Sequence, residues 1–264
     1  MKVINLEQGS EAWLASRLNT FNASECGALF GCSPFFPKNQ DDLAQVKYGG
    51  RQVYQNKAMT AGLEAEPLIR AYAEEVAFEP LEAMVGCLDD DERFRASFDG
   101  ITFDGKKIFE AKNSKGTYNY VVMHNKAPEH YYLQVQHQLL VSGANWCLFV
   151  VRNPESGLMI PLVIEPDIDI QNEIYVKWIE FETKYKGVEL TNLEEERTDT
   201  EWEMLALKLR EINQRKKEIE AEEAEYKEAL LAMANGAKAK GFGVAVYPTT
   251  RKSVDYKALI AENH

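Results

Sequence analysis

The chain is poor in cysteine. Its four, Cys26, Cys32, Cys87 and Cys147, are scattered, and no C-x-x-C pair exists. That spacing argues against a zinc or iron–sulfur cluster and for reduced thiols in a cytosolic protein. No run approaches 18 apolar residues, so no segment is expected to span a membrane. The opening MKVINLEQGSEAW lacks the apolar core of a signal peptide, and a cytoplasmic location is expected. Positive charge is also in deficit: 30 Lys and Arg stand against 42 Asp and Glu, a formal net charge of −12. Taken alone, that sign argues against nucleic acid, whose phosphates call for Lys and Arg. Net charge is a sum over surfaces, however, and acidic outer faces can coexist with a locally basic channel. The acidic runs NLEEER and EIEAEEAEYKE lie in the C-terminal half.

What is present is enough for one sizeable core: 264 residues, 45% of them hydrophobic. Trp13, Leu14 and Leu18 repeat at helical spacing, and Asn22 or Ser24 is placed to cap a second short helix. CSPFFPKNQ reads as loop, and DDLAQVKYG as a helix ended by Gly49–Gly50. The stretch from Asn56 to Glu75 reads as a helix, with Pro67 marking a kink or a fresh first turn. Patterning then changes to period two. MVGCLDD, FRASFD and KKIFEAK predict three consecutive strands. PEHYYLQVQHQLLVSG predicts a helix stopped by Gly143, and NWCLFVVR and LMIPLVIEP two more strands. The order predicts an α/β (α+β) fold, with a mixed central sheet flanked by helices, over residues 1–167. Residues 168–264 read as a C-terminal extension. It holds the amphipathic IQNEIYVKWIEFETKYK, a polar linker and a long helix from Thr200 to Ala234. The T-E-W-E start of that helix has a capping-box pattern. Leu205, Ile212, Ile219, Tyr226 and Met233 recur every seven residues, with Leu209 and Leu230 on the same seam. Lys216 and Glu223 interrupt it, which favours one arm of a helical hairpin over a two-stranded coil. The basic tail carries Phe242, Tyr247, Arg251 and Lys252, placed either to touch single-stranded DNA or to cap the helices.

Chemistry concentrates in SFDGITFDGKKIFEAKNS, residues 97–114. Residues two apart on a strand share a face, so Glu110 and Lys112 point together. The hairpin brings Asp99 toward Glu110. Two carboxylates and the Ala111 carbonyl form an oxygen-rich set suited to Mg²⁺ or Mn²⁺. Lys112 can orient a water or offset phosphate charge. The same triplet also fits a solvated hairpin with a surface Glu–Lys pair. Glu66, in GLEAEPL, is a third candidate carboxylate. Tyr131 and Gln134 lie one helical turn apart and can face the same site. Arg17, Ser24 and Ser97 can form an anion pocket. Arg93, Arg95, Lys106, Lys107 and Lys115 surround the site in sequence and are candidates for DNA-backbone contacts.

These features, in this order, resemble the lambda exonuclease family, also called the YqaJ viral recombinase family. The likeness covers roughly residues 5–165, through QGSEAWLASRL…NASE, GLEAEPL, RASFDG, FEAK and YYLQVQHQLLVSG. It implies a restriction-endonuclease-like PD-(D/E)XK core. It also implies a Mg²⁺-dependent 5′→3′ exonuclease on double-stranded DNA ends, with two ions per site, working in phage or prophage recombination in the bacterial cytoplasm. Asp99, Glu110 and the Ala111 carbonyl match the family's metal ligands, Lys112 its catalytic lysine and Glu66 its helix glutamate. Tyr131 and Gln134 match residues near the scissile phosphate; Arg17, Ser24 and Ser97 match the 5′-phosphate pocket. Phe98 stands where the family name expects proline, and Asn22 where threonine is usual. The family implies a ring, typically a trimer, and delivery of the 3′ strand to a RecT- or Beta-type annealing protein. An endonuclease or single-strand exonuclease on the same core is the first alternative. A non-catalytic DNA-end-binding module that loads a recombinase is the second.

Overall fold

Residues 1–77, 79–190 and 199–247 are described by a computed structural model of the chain. The chain divides into two units, Met1–Leu193 and Glu194–His264. The first opens with β1 (Lys2–Ile4), α1 (Glu11–Leu18), β2 (Phe21–Asn22), a 3-10 turn (Ala23–Glu25), α2 (Cys26–Leu29), α3 (Gln40–Lys47) and α4 (Lys57–Ala77). The period-two segments follow as β3 (Glu82–Cys87), β4 (Phe94–Ile101) and β5 (Lys107–Asn113). Then come α5 (Lys115–His124), α6 (Glu129–Ser142), β6 (Trp146–Arg152), β7 (Met159–Ile164) and α7 (Ile168–Tyr185). The second unit holds α8 (Thr200–Ala234) and a small hairpin of β8 (Ala239–Gly241) and β9 (Val244–Val246). Among the described residues no helix is long and apolar enough to cross a membrane. Arg251 and Lys252 of the basic tail lie outside the described residues.

The sheet runs β1-β3-β4-β5-β6-β7, with β2 added beside β4. β5 and β6 pair in parallel and their outer neighbours antiparallel, so the sheet is mixed as expected. Alternation along β5 divides its side chains between two layers. Phe109 and Ala111 pack with Ile69 and Ala73 of α4. Ile108 joins the larger core on the other face, with Leu133 and Leu139 of α6 and Trp178 of α7. Phe21 stacks on Trp178 at 4.9 Å between ring centroids.

The register of β3 against β4 slips by one residue between Met84 and Glu82. Asp99 and Gly100 together stand opposite Ala83, a β-bulge of the kind that re-aims a side chain. Glycine is needed there: a Cβ on Gly100 would sit 2.8 Å from the Leu81 Cβ.

Several boundaries differ from the sequence reading. α4 is one continuous helix that contains Pro67, with no fresh start there. The carbonyl that Pro67 cannot bond belongs to Leu63, an exposed residue, where water can serve it. α8 is capped one residue earlier than its pattern suggests: the Asp199 side chain accepts from the Trp202 N–H at 2.9 Å. The division between units falls after Leu193 rather than at 167. α7, expected in the extension, belongs to the first unit, where Ile174, Trp178 and Phe181 enter its core. α6 grips the start of α7 directly. Gln136 donates to the Glu165 carbonyl and accepts from the Asp167 N–H, both at 2.8 Å, and Tyr132 donates to the Asp167 carboxylate at 3.0 Å.

His137 of α6 is fully buried, and the Trp178 indole donates to its Nδ1 at 3.3 Å. Burial holds its pKa down at about 3. A depressed histidine pKa stabilises the fold above the unfolded value of about 6.5, and that stability is lost as pH falls toward 3. Thermal melts of wild type and His137→Gln from pH 7 to pH 4 should therefore converge. The wild-type Tm falls more steeply; parallel curves would show that His137 carries no such linkage.

Candidate active site

The β4–β5 ladder pairs Ile101 with Ile108 and Gly100 with Phe109, and then stops. The next pair in register would be Asp99 and Glu110. Beyond that point the strands fork, and the Asp99 side chain takes the place of a strand partner, accepting from the Ala111 N–H at 2.8 Å. An extended residue turns its N–H and C=O to the same edge of the strand. The Ala111 carbonyl therefore faces the same gap as the Asp99 carboxylate.

Glu110 is 2% exposed. Its Oε1 accepts from Gln134 at 2.7 Å and ion-pairs with Lys112, while its Oε2 accepts from Gln138 at 2.6 Å. Lys112 also lies over the Tyr131 ring, 4.8 Å from its centroid. Burial pushes the Lys112 pKa down, but Glu110, with Tyr131 and Asp99, outweighs it and leaves the ammonium above its usual range. Burial and the charge of Glu110 drive the Asp99 pKa well up, and Glu66 adds to the effect. The structure thus brings Asp99, Glu110, Lys112, Tyr131 and Gln134 together. Glu66 is close by but engaged: Arg70, one turn along α4, ion-pairs with it and donates to the Asp99 carbonyl at 2.7 Å.

A second cluster forms where α1 meets the 3-10 turn. Ser10 caps α1 by accepting from the Trp13 N–H. The Trp13 indole donates to the Ser97 hydroxyl at 2.9 Å, and Arg17 lies over the Trp13 ring at 4.7 Å. Arg17 also donates to the Ser24 hydroxyl at 2.9 Å and meets Glu25 at 3.3 Å. Lys47, almost wholly buried, pairs with Glu25 at 2.7 Å and donates to the carbonyls of Arg17 and Thr20. Two cations against one carboxylate leave the cluster positive. Arg17, Ser24 and Ser97 are therefore gathered as expected, with Trp13 as the link.

The basic candidates fare differently. Arg93 is held by Asp91 and Glu182, Lys106 by Asp104, Lys107 by Glu79 and Lys115 by Glu155. These four present neutralised pairs rather than free cations. Arg95 donates to the Glu92 carbonyl and is remote from the fork, four residues up β4 from Asp99.

Sequence reasoning missed Gln138, Arg70, Lys47 and Trp13. Gln138 follows Gln134 by four residues, and Arg70 follows Glu66 by four, so the same-face helical spacing held the signal for both. Lys47 and Trp13 carried no comparable mark.

Among the described residues no three His, Cys, Asp or Glu side chains form a ready metal cage. The donor set at the fork nevertheless fits a hard cation. Mg²⁺ takes one or two carboxylates and fills its shell with water. Asp99, Glu110 and the Ala111 carbonyl meet that requirement, and a divalent ion would relieve the repulsion that raises the Asp99 pKa.

The sequence matches no curated protein. In structure the chain is similar to LHK-Exo, an alkaline exonuclease from Laribacter hongkongensis: TM-score 0.55, 26% identity, covering 67% of this chain and 95% of that one. It is also similar to LHK-Exo in complex with dAMP, with TM-score 0.58 and 26% identity over 67% and 93% of the two chains. The YqaJ-like viral recombinase domain matches residues 12–145, a span that includes the fork, its two glutamines and the Arg17 cluster. The chain belongs to the YqaJ-like viral recombinase family.

Proposed function

We propose that the chain is a Mg²⁺-dependent exonuclease that digests the 5′ strand at double-stranded DNA ends. The observation that carries this reading is the fork, where Asp99 and Glu110 meet beside the Ala111 carbonyl and one protonated lysine. Asp99, Glu110 and that carbonyl would hold the ion; Glu66 would help hold a second only by giving up Arg70. A bound divalent ion supplies Lewis acidity toward a phosphoryl oxygen and lowers the pKa of a coordinated water. Before an ion enters, Glu110 favours the charged form of Lys112 against the cost of burial, and the ammonium would donate to a phosphate oxygen or orient a water. Gln134 and Gln138 fix the two oxygens of Glu110 so that the carboxylate does not follow Lys112. Arg17, Ser24 and Ser97 would receive the 5′-terminal phosphate, which is what makes the reading end-specific. A trimeric ring and delivery of the 3′ overhang to an annealing protein complete the proposal, supported by family membership alone.

The test is digestion of linear duplex with Mg²⁺, carrying 5′-phosphate or 5′-hydroxyl, beside a closed circle. Loss of 5′ label from phosphorylated linear DNA, with the circle intact, is expected. Cutting of the circle would make the chain an endonuclease; no cleavage of any substrate would leave a DNA-end-binding module.

Lys112→Ala should lower the cleavage rate by about 10²-fold or more. Arg17→Ala should cost about 10- to 100-fold on 5′-phosphate ends and little on 5′-hydroxyl ends. An equal loss on both would remove the pocket assignment.

Asp99→Asn tests the metal site without reading activity. The variant keeps an oxygen for the Ala111 N–H and removes the repulsion from Glu110. Without divalent ions its Tm should exceed that of wild type by about 2–4 °C, the shift that ~1 kcal/mol gives in a chain of this size. Added Mg²⁺ should raise the wild-type Tm and leave the variant unmoved. Equal response from both proteins would place the ion elsewhere.

A further inference from the structure

α8 is 35 residues long, about 52 Å at helical rise, and none of its residues is buried. Most helical stability in proteins comes from packing an apolar face, so a helix of this kind is incomplete by itself. Its apolar face is not scattered. Leu205, Ile212, Ile219, Tyr226 and Met233 occupy one seven-residue series. Trp202, Leu209 and Leu230 occupy the series three residues before each, with Lys216 and Glu223 filling its two middle places. These are the d and a positions of five heptads. Among the described residues, Leu209 is 58%, Ile219 64% and Met233 83% exposed.

We propose that α8 pairs with α8 of a second copy of this chain as an antiparallel two-stranded coil. The charges in the seam choose both partner and direction. A parallel pair would set Lys216 against Lys216 and Glu223 against Glu223 in successive layers, like charge against like. An antiparallel pair sets a against d. In the register that faces Leu205 with Leu230 of the second copy, Leu209 meets Tyr226 and Trp202 meets Met233. Lys216 then lies about four residues along the axis, roughly 6 Å, from Glu223 of the second copy, on the same side of the interface. The two-fold axis makes that contact twice. Arg215 likewise faces Glu222 of the second copy on the flank. Sliding the pair by one heptad would instead set Glu222 and Glu220 each against its own copy. A partner helix of unrelated sequence gives no reason for one cation and one anion at these two places. A self-complementary pair about a two-fold axis does.

The register sets the experiment. Full-length Leu205→Cys and Leu230→Cys variants are made in a Cys32→Ser background, the other three cysteines being buried. They are co-expressed with different tags, oxidised and run on a non-reducing gel. Cross-linked dimer is expected from the mixture and not from either variant alone. Dimer from each variant alone would mean a parallel coil and overturn the arrangement. In parallel, Ile212→Asp combined with Ile219→Asp should halve the solution mass measured by light scattering. An unchanged mass with no cross-link would overturn pairing through α8 and leave the seam to another protein or to another segment of the chain.

Discussion

A carboxylate with 2% of its surface exposed governs the architecture around it. Removing a charge from water costs several kcal/mol unless donors replace the lost hydration. Glu110 sits on β5, deep between sheet and helix, and each of its oxygens has to be met. Lys112 reaches one from the same strand, and Gln134 and Gln138 reach both from α6. This demand fixes the rotation of α6 on the sheet. Gln138 also donates to the Ser97 carbonyl at 3.1 Å, so the helix that satisfies β5 holds β4 as well. The opposite turn of α6 sends Gln136 toward the start of α7. One buried charge thereby couples two strands and two helices, and the fork inherits its geometry from that coupling.

The fork shows how strain and pairing are divided. The β4–β5 ladder ends where continued pairing would press two carboxylates together. The bulge at Asp99–Gly100 turns the first of them into the gap, and its bond to the Ala111 N–H replaces the ladder bond that is lost. What remains is a carboxyl that burial, and after it the charge of Glu110, holds well above the usual range. Lys112 offsets part of that rise. Sites that keep such unrelieved charge sacrifice stability to function, and a divalent cation is the species whose charge matches the excess.

Much of this was legible in the sequence, for identifiable reasons. Period-two alternation marked β3, β4 and β5. The seven-residue recurrence and the glycine after Ser142 marked α8 and the end of α6. Glu110 and Lys112 had to share a face because they are two apart on a strand. Other features had no local signature. The bulge depends on how β3 and β4 register, which their separate patterns do not encode. α7 read as part of an extension because an amphipathic helix shows an apolar stripe but not what covers it. Trp178 and Phe181 face the core of the first unit only once Phe21 is there to receive them. Arg93 and Lys107 looked like free cations because ion pairing joins residues far apart, as Glu182 and Glu79 show.

That pairing also bears on how an acidic chain would meet DNA. Non-specific affinity grows with the number of phosphates a surface neutralises. Here the cations near the fork are largely spent on carboxylates, and exposed pairs of this kind lend little field at a distance. One local excess of positive charge among the described residues is the cluster where Arg17 and Lys47 outnumber Glu25. Lys47 is almost wholly buried there and Arg17 partly so, which keeps the field short-ranged. A chain of net charge −12 gives a polyanion little general attraction, so a phosphate that can reach this cluster gains most there. Under the exonuclease reading proposed above, a 5′-terminal phosphate would be favoured at this cluster without a large basic face.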